Sequence, residues 1–132
     1  MGTNRNDREN KRKGLKRLFY ALVYSLEGLT ATFRSEAAFR QEVLVMFIST
    51  TAAVILPLSF VFKAVLIAST FVVLLAELVN TALEEIADVL FRDLHPSAKL
   101  IKDAGSAAVL LSIVSLITAW IFALFQLIGE PR

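Results

Sequence analysis

From Leu15 to Phe33 apolar residues recur at helical spacing, at Leu15, Leu18, Phe19, Leu22, Val23, Leu26, Leu29 and Phe33. Lys16, Arg17, Glu27 and Arg34 fall largely off that stripe. The pattern predicts an amphipathic helix over 15–34, suited to lying in a membrane interface. Residues 1–13 are polar and charged without apolar periodicity, and are expected to be loosely held. Beyond Phe33 the pattern changes to long apolar runs. Three membrane helices are predicted, over 36–62, 64–90 and 98–128, within one domain of 132 residues. Ser35 is a candidate N-cap for the first of them, with Glu36 in its first turn. Pro57 and Ser59 mark a bend or turn near its end, and the polar stretch 85–103, with His95-Pro96, separates the second and third. The third opens with Gly105, Ser106, Ala107 and Ala108, small residues that permit close helix approach.

The stretch ELVNTALEEIAD, 77–88, breaks the apolar rule. Glu77, Asn80 and Glu84 follow at i, i+3 and i+7, so a helix puts them on one face, and Asp88 extends it. An acid at the centre of a membrane helix costs about 2.5–3.5 kcal/mol on insertion. An ordered polar stripe is better explained by a buried ion or substrate site than by packing polarity between helices. Glu36, Arg40 and Glu42 crowd charge at the start of the first span; a site and a solvated helix start with an i,i+4 Arg–Glu pair are both open readings.

Composition supports the membrane reading: 56% of residues are hydrophobic and mean hydropathy is +0.64. With no Cys and a single His, thiol chemistry and a multi-histidine zinc site are excluded. Seven of the 14 Lys/Arg lie in the first 17 residues. A nucleic-acid arm is one reading of that run; the apolar helix that follows at once favours anionic lipid as its partner. No signal peptide is evident. Placing the N-terminus and the 85–103 loop in the cytoplasm leaves 12 Lys/Arg on the inner side, with only Lys63 and Arg132 outside. Glu36, Glu77, Asn80, Glu84 and Lys102 then share the cytoplasmic interface. Trp120 is read either as a far-interface residue or as a bundle residue.

Several carboxylates, an amide and a lysine at that surface suit a magnesium–nucleotide complex. An acid at the hydrocarbon boundary could take a proton from a lipid hydroxyl, giving phosphoryl transfer onto a membrane-dissolved alcohol. No GxxxxGK[ST] or GxGxxG phosphate loop is present. A proton-coupled transporter also needs membrane carboxylates, so a non-enzymatic ion-coupled membrane protein stays open on these residues alone.

EAAFRQE (36–42), ELVNTALEEIAD (77–88) and KDAGSAAVL (102–110) resemble the prokaryotic diacylglycerol kinase family of small integral-membrane kinases, with similarity running ungapped from about Gly14 to Trp120. The resemblance implies an all-α homotrimer in the bacterial inner membrane. Each subunit would have three spans and one surface helix, and cytoplasmic active sites would be shared between subunits. It implies Mg²⁺ and ATP, with Glu77 as general base and Glu36 and Glu84 holding the metal. Arg17, Tyr24, Asp93, His95, Lys102 and Asp103 would join Glu36 and Glu84 in contacting ATP. Arg17, Ser25, Ala38, Phe39, Arg40, Gln41, Glu42, Glu77, Ser106 and Trp120 would line the lipid site, with Asn80 and Asp88 as supporting polar groups. Leu26 and Glu27 depart from the family, whose best-known members carry Trp and Lys there. The loop VLFRDLHPSAK is closer to the branch resembling undecaprenol kinases, whereas AFRQE and KDAGSAAVL are similar to the diacylglycerol branch. Two motifs against one make diacylglycerol the expected substrate, with undecaprenol the alternative.

Overall fold

The computed structural model describes residues 5–91 and 95–129. Within them the chain is all-helical: α1 (Arg5–Ser35), α2 (Ala37–Ile55), α3 (Phe60–Leu90) and α4 (Pro96–Gly129). It divides into two compact units, 1–35 and 36–132.

The first unit is α1 alone, 31 residues or about 46 Å long. The basic stretch expected to be loose is helical from Arg5 onward; it is free of proline, and Lys, Arg and Glu are good helix formers. Leu18, Phe19, Leu22, Leu26, Leu29 and Phe33 are all exposed. Tyr20 and Tyr24 stack at 6.4 Å. The hydroxyls of Ser25, Thr30 and Thr32 donate to carbonyls four residues back, at 2.8, 2.7 and 3.1 Å, as helix-borne Ser and Thr do.

The second unit contains the three helices long and apolar enough to cross a membrane. Ser35 is not their N-cap: it closes α1, donating to Thr32 O, and Glu36 is the extended residue from which α2 starts. The expected span 36–62 is divided, since α2 ends at Ile55 and residues 60–62 already belong to α3. Pro57 is the cause, because Leu56 before it is driven out of the helical region to φ −66°, ψ 145°. The Leu56 N–H still bonds Ala52 O at 2.9 Å, and Ser59 caps α3 by accepting from Phe62 N. Lys63, expected in the turn, lies in the first turn of α3. Its ammonium reaches back to Val54 O at 2.8 Å, satisfying a carbonyl that the end of α2 leaves without a helical partner.

The polar stretch 85–103 contains the end of α3 and the start of α4. α3 runs to Leu90 and α4 begins at Pro96, leaving a connection of five residues, 91–95. His95 starts α4: its Nδ1 accepts from Ser97 N at 3.1 Å and its carbonyl from Lys99 N at 3.2 Å. Proline fits the next position, where no N–H is needed.

α3 is the central helix, packed on α2 and more extensively on α4. Near the Leu56–Ser59 turn, Ala53, Leu58, Leu66 and Ala123 form a buried cluster, with Phe62, Ala119, Trp120 and Leu127 against it. Trp120 is a bundle residue, half-buried, whose indole N–H donates to Ser49 Oγ at 2.9 Å. α3 has 31 residues, about 46 Å, whereas the hydrocarbon layer is about 30 Å and takes about 20 residues. Counted from Phe60, such a layer ends near Val79, and the remainder of α3 projects beyond it.

Candidate functional site

The polar stripe of α3 falls where the helix leaves that layer, and its burial is graded. Glu77 and Asn80 are buried at 6% and 8% exposure, Glu84 is half-buried, and Asp88 is exposed. The i+3 and i+7 spacing does what helical geometry requires, and the i,i+4 pair is bonded: Asn80 Nδ2 donates to Glu84 Oε1 at 3.1 Å.

Two carboxylates from α2 join the stripe. Glu36 stands at the N-terminus of α2 and makes no side-chain capping bond. Glu42 lies two turns further on, half-buried, and its Oε2 is enclosed without a hydrogen-bond partner. Glu36, Glu42 and Glu84 are all within electrostatic reach of Glu77. Like charges gathered in a poorly solvated place repel one another, so the arrangement favours a cation or a proton among them.

α4 supplies the opposite charge. Lys102 pairs with Asp88 at 2.5 Å, across from α4 to α3, and lies within electrostatic reach of Glu84 and Glu85. One turn earlier on α4, Lys99 pairs with Asp103 on the exposed side. Gly105 is buried directly against Asn80.

The structure thus brings together Glu36, Glu42, Glu77, Asn80 and Glu84, with the Asp88–Lys102 pair one turn further out. Other expected residues lie elsewhere. Phe39 is a core residue at 3% exposure, whereas Ala38, Arg40 and Gln41 are exposed beside it on α2. Ser106 is exposed next to buried Gly105. Trp120 is 18 residues beyond Lys102, about 27 Å along α4, in the cluster at the other end. His95 is exposed, stacks on Phe91 at 4.7 Å and starts α4. Arg17, Tyr24 and Ser25 are exposed on α1, in the first unit. Asp93 lies outside the described residues.

Three participants, Lys99, Glu85 and Gly105, were not among the expected site residues. Lys99 as the partner of Asp103 was visible in the i,i+4 spacing. Glu85, off the stripe by one residue, joins only by lying within electrostatic reach of Lys102. Gly105 carries no chemistry of its own and is visible only as one glycine among small residues.

Among the described residues no group of three or more His, Asp or Glu side chains is disposed to enclose a metal ion. A cation that arrives with its own phosphate and water ligands needs only one or two carboxylates, which is how Mg²⁺ binds nucleotides. The donor set fits such an ion, with oxygen ligands throughout and Glu36 left uncommitted by capping.

Fold and site together define a helical membrane protein with an acidic, lysine-flanked centre at one end of its spans. The sequence profile of the prokaryotic diacylglycerol kinase family matches residues 23–124, and the chain belongs to that family. It is 40% identical over 107 residues to the diacylglycerol kinase of Pseudomonas aeruginosa, covering 81% of this chain and 87% of the relative. Against the diacylglycerol kinase of Escherichia coli K12 it is 33% identical over 120 residues, 91% and 98% of the two chains. That of Helicobacter pylori 26695 is 37% identical over 110 residues, 83% and 86%.

Proposed function

We propose that the protein transfers the γ-phosphoryl group of ATP to a membrane lipid alcohol, converting diacylglycerol to phosphatidic acid. The observation that carries this reading is buried Glu77 with Glu36 and Glu84 within its electrostatic reach, and Lys102 within reach of Glu84, near the point where α3 leaves the apolar layer. A lipid hydroxyl approaches that point from the hydrocarbon, and a nucleotide from water.

Glu77, the most buried of the acids, accepts the proton of the lipid hydroxyl as its oxygen attacks the γ-phosphorus. The new bond is lipid O–P; the bond broken joins the γ-phosphorus to the β,γ-bridging oxygen, and ADP departs with that electron pair. Glu36 and Glu84 would hold Mg²⁺, which neutralises charge on the β- and γ-phosphates when bound. Lys102, held beside α3 by its pair with Asp88, adds a second positive charge for phosphate. Asp103, His95 and Asp93 complete the nucleotide side. Arg17 and Tyr24 of α1 serve ATP, and Ser25 and Ser106 the lipid. The chain works as a homotrimer in the bacterial inner membrane, with α1 as an amphipathic surface helix and the N-terminus and site cytoplasmic. The exposed apolar residues of α3 and α4, Phe71, Leu75 and Leu111 among them, support burial against lipid or another copy.

Transfer of labelled phosphate from ATP to diacylglycerol in mixed micelles tests the reading. Turnover dependent on a divalent cation is expected; a well-folded preparation that neither transfers phosphate nor binds Mg–ATP would overturn it in favour of an ion-coupled carrier. Undecaprenol is the second reading, favoured by the His95-Pro96 loop alone. Side-by-side turnover of the two lipids decides between them, and a strong polyprenol preference would reverse the choice.

A further inference from the structure

Gly105 lies inside α4, a 34-residue helix in which glycine is the least favourable residue after proline. Ala104, Ser106, Ala107 and Ala108 around it are all exposed; Gly105 alone of the five is buried. What it faces is Asn80. A Cβ placed on Gly105 would overlap Asn80 Oδ1 and stand 3.3 Å from its Cγ and 3.6 Å from its Cα. The last distance shows that the backbone of α3, and not only a movable side-chain tip, closes against α4 here. Asn80 could yield to a methyl group only by rotating its amide or by parting the helices.

The amide has one orientation that suits its surroundings. Glu84 can only accept, so the Nδ2 side must face it, as it does at 3.1 Å. Oδ1 is thereby turned toward Gly105, buried and without a donor among the described residues. A buried carbonyl left unpaired is unfavourable. This one is tolerated in an orientation whose one hydrogen bond goes to a carboxylate of the site.

We propose that Gly105 is a positioning residue: its missing side chain seats Asn80 between α3 and α4, and the seated amide holds Glu84 in the orientation that binds metal–nucleotide. The inference rests on the reading of Glu84 as a metal-holding carboxylate. It assigns the orientation of that carboxylate to a contact on a different helix. Partners that orient a metal ligand are typically worth about 10–100-fold in metal affinity.

The test uses the full-length protein in detergent micelles with two readouts. The first is the side-chain amide of Asn80 in protein labelled with ¹⁵N at asparagine; the chain has only Asn4, Asn6, Asn10 and Asn80, so an Asn80→Ala sample identifies the signal. The second is Mn²⁺–ATP binding, followed by the electron paramagnetic resonance of the ion. Gly105→Ala is expected to shift the Asn80 amide toward a solvent-exposed position and to weaken Mn²⁺–ATP binding at least about tenfold. In an Asn80→Ala background the same substitution is expected to add nothing, whereas a role in general helix packing would weaken both backgrounds alike. If Gly105→Ala alone does not fold, recovery of a folded protein by Gly105→Ala with Asn80→Ala supports the seat, and failure to recover overturns it. An unshifted Asn80 amide, or a shifted amide with unchanged Mn²⁺–ATP binding while Glu84→Gln weakens it, also overturns the proposal. Unchanged binding in Glu84→Gln itself removes Glu84 from the metal and this inference with it. The amide signal tells that failure from a failure of the seat.

Discussion

At the end of the second unit that holds the Leu56–Ser59 turn, polar groups meet partners across the helices. Lys63 reaches Val54 O, the Ser59 N–H donates to Gln126 Oε1 at 3.3 Å, and Trp120 bonds Ser49. Around them Ala53, Leu66 and Ala123 are wholly buried. At the opposite end, Glu36, Glu42 and Glu84 lie within electrostatic reach of Glu77, Glu42 Oε2 and Asn80 Oδ1 are enclosed without partners, and the Lys99–Asp103 and Lys102–Asp88 pairs lie largely in solvent. The first end has the features of a structural clamp, while the second holds unmet acceptors and gathered charge. The same three helices do both because α3 has one apolar half and one half carrying the stripe.

The comparison predicts that substitutions at the acidic end change turnover and those at the turn end change stability. The largest effect is expected for Glu77→Gln, which keeps the shape and removes the base. kcat should fall by about 10²–10⁴-fold while thermal unfolding in micelles stays unchanged, and wild-type turnover would remove Glu77 from that role. Leu66→Ala, in the buried cluster, should behave in the opposite way. The cavity should cost about 2 kcal/mol or more of stability, read by denaturant titration, with kcat per folded molecule retained. Glu84→Gln comes next, with the apparent affinity for Mg–ATP expected to drop about tenfold or more and the lipid KM unmoved. A change confined to the lipid KM would place Glu84 on the wrong substrate. Trp120→Phe removes one bond between α4 and α2 and should cost about 0.6 kcal/mol, visible in unfolding and not in turnover. If turnover is what falls, Trp120 belongs to the lipid site and the division between the two ends is less complete. The smallest effect is expected for Lys99→Ala, whose pair with Asp103 is solvent-exposed, with no measurable change in melting.

The polar stripe was legible because helical periodicity is local: Glu77, Asn80, Glu84 and Asp88 share a face in any α-helix. The three spans were legible for a similar reason, since length and apolarity are properties of a segment. Their ends were less so. Pro57 signalled a break, but only the structure shows that α2 stops at Ile55 and that Lys63 turns back on it. The polar residues 85–103 read as lying outside the membrane because charge disfavours the hydrocarbon. They are mostly helical because nothing forbids a helix from continuing past the membrane.

What the sequence determined by itself is therefore the type of each segment, the acidic face of α3 and, through its three motifs, the family. Each depends on residues close together in the chain or on similarity along it. Only the tertiary structure decided that Glu42 comes within reach of Glu77, that Lys102 is held by Asp88, that Trp120 clamps the distant end, and that Gly105 makes room for Asn80. Those pairings depend on the register of α2 and α4 against α3. That register comes from side-chain packing between segments, which no local pattern encodes.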